Sequence, residues 1–432
     1  MARPSSAAEA ASEKTRWSDY LLPLPQEIEI SGEVHIAPDD VDLETAPETS
    51  AMVTEAVSEL RAAYRAKGGC DPTGGSFTIH VGLLSALESV SDKAAEDAAR
   101  LQQTSHPEQA YVIRPLGRNG LVVAGLDDRG VFYGIQTLKQ LLTAELTEAE
   151  AVVPLARITD WPDFEERGLW NSGLKTRAHV PWLAGMKLNF EHINHPVRFG
   201  PDEPRCPPLP MDVIEWARTR AFHIMPHCWH YDFWDDSASL SEYYPQLIGQ
   251  GDSARNPSSV AKPGYHPRAR CPCASSPLLE QLLSEWMQSA AEQGIREVSL
   301  WLSEYQPCRC TCDKCVQEGS HQLIREARES IRAILEARKR YPDLVGRLFL
   351  TFNLADPQEE EACRTCLSLI PTDGSIRVEC VYGLQKPFDD YAREGNWVAN
   401  YGVGVSLGGL GRARGAARLR LYPDPEDLRK RI

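Results

Sequence analysis

The feature that most constrains this chain is an alternation that begins near residue 157. Short apolar runs recur there at Gly168–Asn171, Lys187–Ile193, Phe222–Pro226, Glu297–Leu302, Arg347–Phe352 and Ile376–Val381. Between them lie stretches with apolar residues at helical spacing, such as "SPLLEQLLSEWMQSAAEQG" and "GSHQLIREARESIRAILEARKRYP". A strand followed by a helix, repeated, forces parallel pairing, because the chain must cross over before it can lay down the next strand. Six such strands predict a (β/α)8 TIM-type barrel. The alternative, an open doubly wound sheet, expects a glycine-rich phosphate loop after its first strand, and "ERGLWNSG" offers none. After Val381 only "WVANYGVGVSL" or "ARLRLY" reads as a further strand before "DPEDLRKRI" opens a helix. The barrel is therefore expected to be incomplete at its C-terminus. A rearranged terminal segment, a second copy of the chain or a partner chain would complete it.

The preceding region has a different pattern. "LLPLPQEIEISGEVHI" is extended, a helix is predicted over 50–67, and "SFTIHVGLL", "QAYVIRPL" and "GLVVAGL" read as strands. "DDRGVFYGIQTLKQLLTAEL" closes the region as a helix. The expected division is a disordered tail over 1–20, an α+β domain over 21–155 and the barrel over 156–432. With 432 residues the chain has room for both. A formal charge of −15 argues against a nucleic-acid partner, since phosphate backbones are bound by clustered Lys and Arg. No apolar run reaches the roughly 18–20 residues a membrane span needs. The opening "MARPSSAAEAASEKTRW" lacks the apolar core of a secretory signal, so a cytoplasmic setting is expected.

In a barrel, reactive groups sit at the C-terminal ends of the strands. Here those ends are polar and aromatic: Arg167, Trp170 and Asn171 on the first, His192, Asn194 and His195 on the second. The third carries His227, Trp229, His230, Tyr231, Trp234 and Asp235, the fourth Ser303 and Glu304, the sixth Glu379 and Tyr382. A carboxyl group among Trp301, Leu302 and Tyr305 is partly desolvated, which raises its pKa and suits Glu304 to proton donation. Flat aromatic faces beside Asn, His, Arg and carboxylates fit a sugar, with its C–H faces and hydroxyl rims. A metal set of His223, His227 and His230 is the competing reading, although i, i+4 spacing brings ligands together only on a helix.

Several of these stretches resemble glycoside hydrolase family 20, the β-N-acetylhexosaminidases. "LLPLPQEIEI" and "DDRGVFYGIQTLKQLL" are similar to the opening and the closing helix of that family's non-catalytic N-terminal domain. "ITDWPDFEERGLW" and "MKLNFEHINH" are similar to its first two barrel strands, so the resemblance spans residues 21 to about 235. The later half is closer to a less characterised group with C-x-C-x-x-C after the fourth strand, matched by Cys310, Cys312 and Cys315, and with a cysteine matched by Cys273 in "CASSP". The resemblance implies removal of terminal β-linked GlcNAc or GalNAc, with Glu304 as acid/base and the substrate's acetamido oxygen as nucleophile. It implies no cofactor for catalysis. It places the family's ring-gripping Arg on Arg167, but its acetamido-orienting Asp falls on Ser303. Its strand-two His falls on Asn194 and its strand-three Glu on His227. Asp235 or Glu379 is left to replace the missing Asp. A carbohydrate-binding relative without activity, and a retaining glycosidase using Glu379 as nucleophile, are the alternatives.

Of the twelve cysteines, six crowd into "CPC" at 271–273 and "CRCTCDKC" at 308–315. The expectation is one structural zinc on Cys273, Cys310, Cys312 and Cys315, with Cys271 and Cys308 as further candidates. Disulfides are the alternative.

Overall fold

The computed structural model describes residues 16–47, 49–169, 175–255, 270–303, 308–352, 357–380 and 386–400. Glu304, Trp170, Asn171 and Tyr382 lie outside these residues, as do the candidate strand "ARLRLY" and the final helix. The chain divides into two compact units, the first built mainly on residues 1–168 and the second mainly on 224–432. No described helix is long and apolar enough to cross a membrane.

The first unit contains a six-stranded sheet. Its strands are β1 (Glu27–Ile36), β2 (Val41–Thr45), β3 (Phe77–Leu83), β4 (Tyr111–Pro115), β5 (Gly120–Gly125) and β6 (Ala151–Asp160), in the order β1-β6-β4-β5-β3-β2. Pairings among β1, β6, β4 and β5 are antiparallel, and those of β5 with β3 and β3 with β2 are parallel. Helices Ala51–Gly68 and Asp128–Ala144 pack on the sheet around a core that includes Leu60, Tyr64, Ile79, Val123 and Leu138. Two glycines in "RGVFYG" let the second helix approach the sheet closely. A Cβ on Gly130 would lie 2.2 Å from the Ala110 carbonyl oxygen, and one on Gly134 would lie 2.7 Å from Val123 Cγ1. Only glycine at both positions lets this helix press its one face onto β4 and β5.

Two expectations change here. Residues 16–20 are not tail: Trp17 is fully buried in the core, and Arg16 is bonded to Glu33 and Glu145. The boundary expected at 155 falls inside β6. That strand was obscured by Pro154, which cannot donate to a ladder; it sits opposite Glu33, where the β1 register shifts, and a bulge tolerates it.

The second sheet has seven strands: β7 (Gly168–Leu169), β8 (Phe190–Asn194), β9 (His223–Cys228), β10 (Glu297–Trp301), β11 (Val345–Leu350), β12 (Ile376–Cys380) and β13 (Val398–Asn400). They follow one another in sequence order from β7 to β13. The pairs β9·β10, β10·β11, β11·β12 and β12·β13 are parallel. Helices Pro277–Glu292, Gln322–Arg340 and Pro357–Ser368 make crossovers between them. The result is a parallel run of the kind a barrel uses, with β13 inside the first of the two weak candidate segments. Among the described residues it stands as a seven-stranded row, which is consistent with the expected barrel incomplete at its C-terminus.

Candidate active site

In a strand, alternate residues share a face. Register sets Ser299 opposite both His227 and Arg347, and Phe349 opposite both Trp301 and Glu379. One face of the second sheet therefore carries Ser299, Trp301 and Ser303 on β10 and its extension, Arg347 and Phe349 on β11, and Glu379 on β12. The other face carries Val298, Leu300, Leu348 and Val378, the apolar side on which crossover helices pack. A parallel sheet is normally covered on both faces and needs no charge on either. Yet His227, Arg347 and Glu379 all have 0% exposure.

Glu379 is the centre of this face. Its Oε1 accepts from Arg347 Nη1 at 3.1 Å and lies 3.3 Å from His192 Nε2, while Oε2 accepts from Ser299 Oγ. Burial alone would push this carboxyl up. His192 beside it and the Arg347 guanidinium outweigh burial and hold it well below the usual carboxylate range. Arg347 also donates Nε to Glu297 at 2.8 Å, and Glu297 receives Arg377 at 3.1 Å. Both guanidinium groups lie over Trp397, at 4.6 and 4.9 Å from its ring centre.

Aromatic rings border the charged centre. His227 packs against His192 at 4.7 Å, Trp301 at 5.2 Å and Phe349 at 5.6 Å. Burial, with His192 and His230 close by, keeps His227 neutral well below the ordinary imidazole range. His230 is stacked on Trp301 at 3.8 Å and on the half-buried Trp229 at 5.2 Å. His223 and His227 sit on one strand, where four residues span roughly 13 Å, so the His223, His227 and His230 metal set does not converge. His192, His227 and Glu379 do bring ligand atoms within 4.8 Å of one another. Arg347 already supplies the cation there, which leaves little electrostatic reason for a metal.

Other candidates are committed to structural bonds. The Arg167 guanidinium donates to the Lys187 carbonyl at 2.9 Å, to Gln109 Oε1 at 2.9 Å and to the Phe164 carbonyl at 2.7 Å, and it lies over Tyr133. That is a use in the first unit, and it gives no support to Arg167 as a grip on ring hydroxyls. Asp235 accepts from the Ser241 amide at 2.8 Å, in the first turn of the short helix Leu240–Tyr243. His195 Nε2 is 2.8 Å from the Pro207 carbonyl, and Asn194 is half-buried at the end of β8.

Ser303 is fully buried, and both its amide and its hydroxyl donate to Glu326, at 2.9 and 2.8 Å. Burial raises the Glu326 carboxyl, against the pull of the Gln322 and Ser303 donors. Sequence reading missed Arg347, Ser299 and Glu326. An arginine inside "VGRLFL" was a readable anomaly. Glu326 in "LIREARES" was not, because a helix of that composition normally turns its charges to solvent.

The thiols form two groups. Cys273 Sγ lies 3.6 Å from Cys312 Sγ and 3.7 Å from Cys315 Sγ, and Cys310 joins them. Cys271 and Cys308 make a separate buried pair, with the Cys308 thiol donating to the Ala254 carbonyl at 3.2 Å. The Cys308 thiol beside it, together with burial, holds Cys271 well above its usual range. The pair packs apart from the four sulfurs that converge. All twelve cysteines are free thiols.

Comparison with known proteins fits this architecture. Residues 19–161 match the family model for glycosyl hydrolase family 20, domain 2. No curated protein matches the chain by sequence. Among solved structures, a chitobiase from Flavobacterium johnsoniae is similar at 13% identity and a TM-score of 0.57, over 89% of this chain and 59% of that one. A family 20 β-N-acetylhexosaminidase from Streptomyces coelicolor A3(2) is similar at 14% identity and a TM-score of 0.57, over 93% of this chain and 76% of that one. A β-N-acetylhexosaminidase from Bacteroides fragilis NCTC 9343 follows at 14% identity and 0.54, over 88% and 74%. Identities this low speak for the fold alone. Residues 19–161 are thus similar to domain 2 of glycosyl hydrolase family 20, and the parallel β/α region that follows in sequence has a fold similar to that of the hexosaminidases.

Proposed function

We propose that this protein is a glycoside hydrolase that removes a terminal β-linked N-acetylhexosamine. The observation that carries the reading is the buried, charged face of the second sheet, with an ionised Glu379 set among Arg347, His192 and Ser299 and edged by Trp301, Phe349 and Trp229. Burying that much charge costs stability, and a fixed, buried carboxylate is suited to meeting a positive charge that develops beside it. A sugar losing its leaving group develops such a charge at the anomeric carbon.

In this reading Glu304, next in sequence after Ser303, is the general acid. It protonates the glycosidic oxygen as the bond to the anomeric carbon breaks. The substrate's acetamido oxygen attacks from the opposite face to give a cyclic oxazolinium. Glu304, now a carboxylate, takes a proton from water, which opens the ring with net retention. Glu379 serves as a fixed negative charge and sets the orientation of His192. It is ill-suited to be a nucleophile, since both its oxygens are engaged and neither is exposed. Trp229, half-buried on the His230–Trp301 stack, offers the ring face for the sugar.

One observation favours the carbohydrate-binding alternative. Ser303 stands where the family has its orienting Asp, and Asp235 is bonded to the Ser241 amide. Assays of hydrolysis and of binding on aryl β-N-acetylglucosaminide and N-acetylgalactosaminide decide between them. Turnover that collapses in Glu304→Gln supports the enzyme. Saturable binding with no turnover in the wild type would replace it with the binding module.

A further inference from the structure

The four sulfurs of Cys273, Cys310, Cys312 and Cys315 lie within 4.8 Å of one another, although the first is far from the others in sequence. Zinc held tetrahedrally at about 2.3 Å from four sulfurs sets those sulfurs about 3.8 Å apart. The separations of 3.6 and 3.7 Å match that edge, and they are far too long for the roughly 2.05 Å of a disulfide. The surroundings are those of a thiolate centre. Cys310 Sγ accepts from the Gln250 amide at 3.3 Å and the Cys312 amide at 3.5 Å, and the Ser275 hydroxyl lies 3.2 Å from Cys315 Sγ. Donors to the ligand atoms, outside the ligand set itself, are what orient and stabilise a metal centre.

We propose that Cys273, Cys310, Cys312 and Cys315 hold one structural zinc ion, and that this ion fixes the chain at the end of β10. Soft thiolates in a tetrahedron select zinc over hard cations, and four protein ligands leave no open position for chemistry. The mechanical link runs through Gln322. Its Oε1 accepts from the Cys310 amide at 3.2 Å, and its Nε2 donates to the Pro272 carbonyl at 3.1 Å. Both ligand-bearing segments are thereby tied to the helix Gln322–Arg340. The same Nε2 donates to Glu326 Oε1 at 2.7 Å, and Glu326 receives the amide and hydroxyl of Ser303. A short relay of bonds thus joins the sulfur cluster to the residue before Glu304. The metal assignment does not depend on the sugar reading.

Elemental analysis of the full chain purified without added metal should find about one zinc per chain. Cys315→Ser should lose it, whereas Cys366→Ser, which removes a buried thiol outside the cluster, should keep it. If Cys315→Ser fails to fold, exchange of the wild type into cobalt(II) should give sulfur-to-metal charge-transfer absorption and tetrahedral visible bands. Metal-free native protein, a stoichiometric iron content, or zinc retained by Cys315→Ser would each overturn the site. The relay is read by hydrogen exchange: stripping the metal with a strong chelator should speed exchange at the Ser303 amide by at least tenfold. Unchanged protection there would confine the ion to the cysteine loop and sink the second half of the proposal.

Discussion

The helix–sheet interface of the first unit and the polar face of the second sheet bury their charges for different reasons. In the first unit the core is aliphatic and aromatic, and its buried charges come in small separate groups, of which two are pairs and one joins Arg220 to Glu55 and Glu59. Lys187 Nζ meets Asp160 Oδ2 at 2.7 Å, with the Tyr111 hydroxyl bonded to both, and Arg114 meets Asp97 at 2.7 Å. In the first of these, Lys187, at a positive φ of 59°, lies shortly before β8 in sequence, and Asp160 ends β6. In the second sheet His192, His227, Arg347 and Glu379 share one continuous face. Apolar residues of similar size would hold β10, β11 and β12 together at least as well. A connected charged face that stability does not require is the observation on which the proposed sugar site rests.

The largest expected effect is on rate. Glu304→Gln should lower turnover by about 10²–10⁴-fold with KM little changed, because only the proton transfer is removed. Steady-state kinetics on an aryl glycoside with a poor leaving group read this most clearly, and a near-native rate there would dissolve the functional half of the contrast.

Next comes Arg347→Met. It leaves Glu379 buried without its cation and should cost about 3–5 kcal/mol by denaturant unfolding, together with loss of sugar binding. Lys187→Met tests the other region in the same way. Asp160 keeps the Tyr111 hydroxyl and its side chain is 10% exposed against 0% for Glu379, so the loss should be smaller, on the order of 2–3 kcal/mol. Protein that remains folded should bind sugar normally. Equal loss of binding in both variants would erase the distinction drawn between structural and functional charge.

The smallest effect is on the pH dependence of stability. His227 has a folded pKa below its unfolded value near 6.5. The unfolded state therefore takes up the proton first, and stability falls as pH drops below about 6.5. Glu379 has a folded pKa below its unfolded value near 4.3, so its contribution is whole above that pH and lost on further acidification. Glu326, raised by burial, works the other way, since the fold holds its proton more tightly than the unfolded chain does. Between pH 6.5 and 5 His227 alone contributes a decline of at most about 1.4 kcal/mol per pH unit, to which His195, also lowered by burial, adds and which His35, raised by Glu33 and Glu150, opposes. His227→Gln should flatten that slope whatever its own offset, measured by urea unfolding across pH. A slope as steep in the variant as in the wild type would remove His227 as its source.

How much of this was readable beforehand follows the range of the interactions. Period-two runs located β8 to β12 to within a few residues, since alternation and turn residues are local properties. β6 escaped because Pro154 broke its pattern, and only the facing register shift in β1 shows why the proline is harmless there. The clustering of cysteines at 271–273 and 308–315 is visible in the sequence, and the family resemblance singled out Cys310, Cys312 and Cys315 with the distant Cys273. That Cys271 and Cys308 stand apart, as a second buried pair, is a matter of where two loops meet.

The same division runs through the site. Sequence alone determined that strand ends would carry carboxylates, histidines and aromatic rings, because hydropathy period and residue chemistry are written along the chain. Tertiary structure decided which of them act together. Glu379, Arg347, Ser299 and His192 come from four different strands, and the charge on Glu379 depends on burial and on a neighbour 187 positions away. Arg167 and Asp235 have the right chemistry for the site and are engaged in bonds that only the packed chain makes. A side chain's type sets what it can do, but the field and the solvent it meets, which fix what it does, exist only after folding.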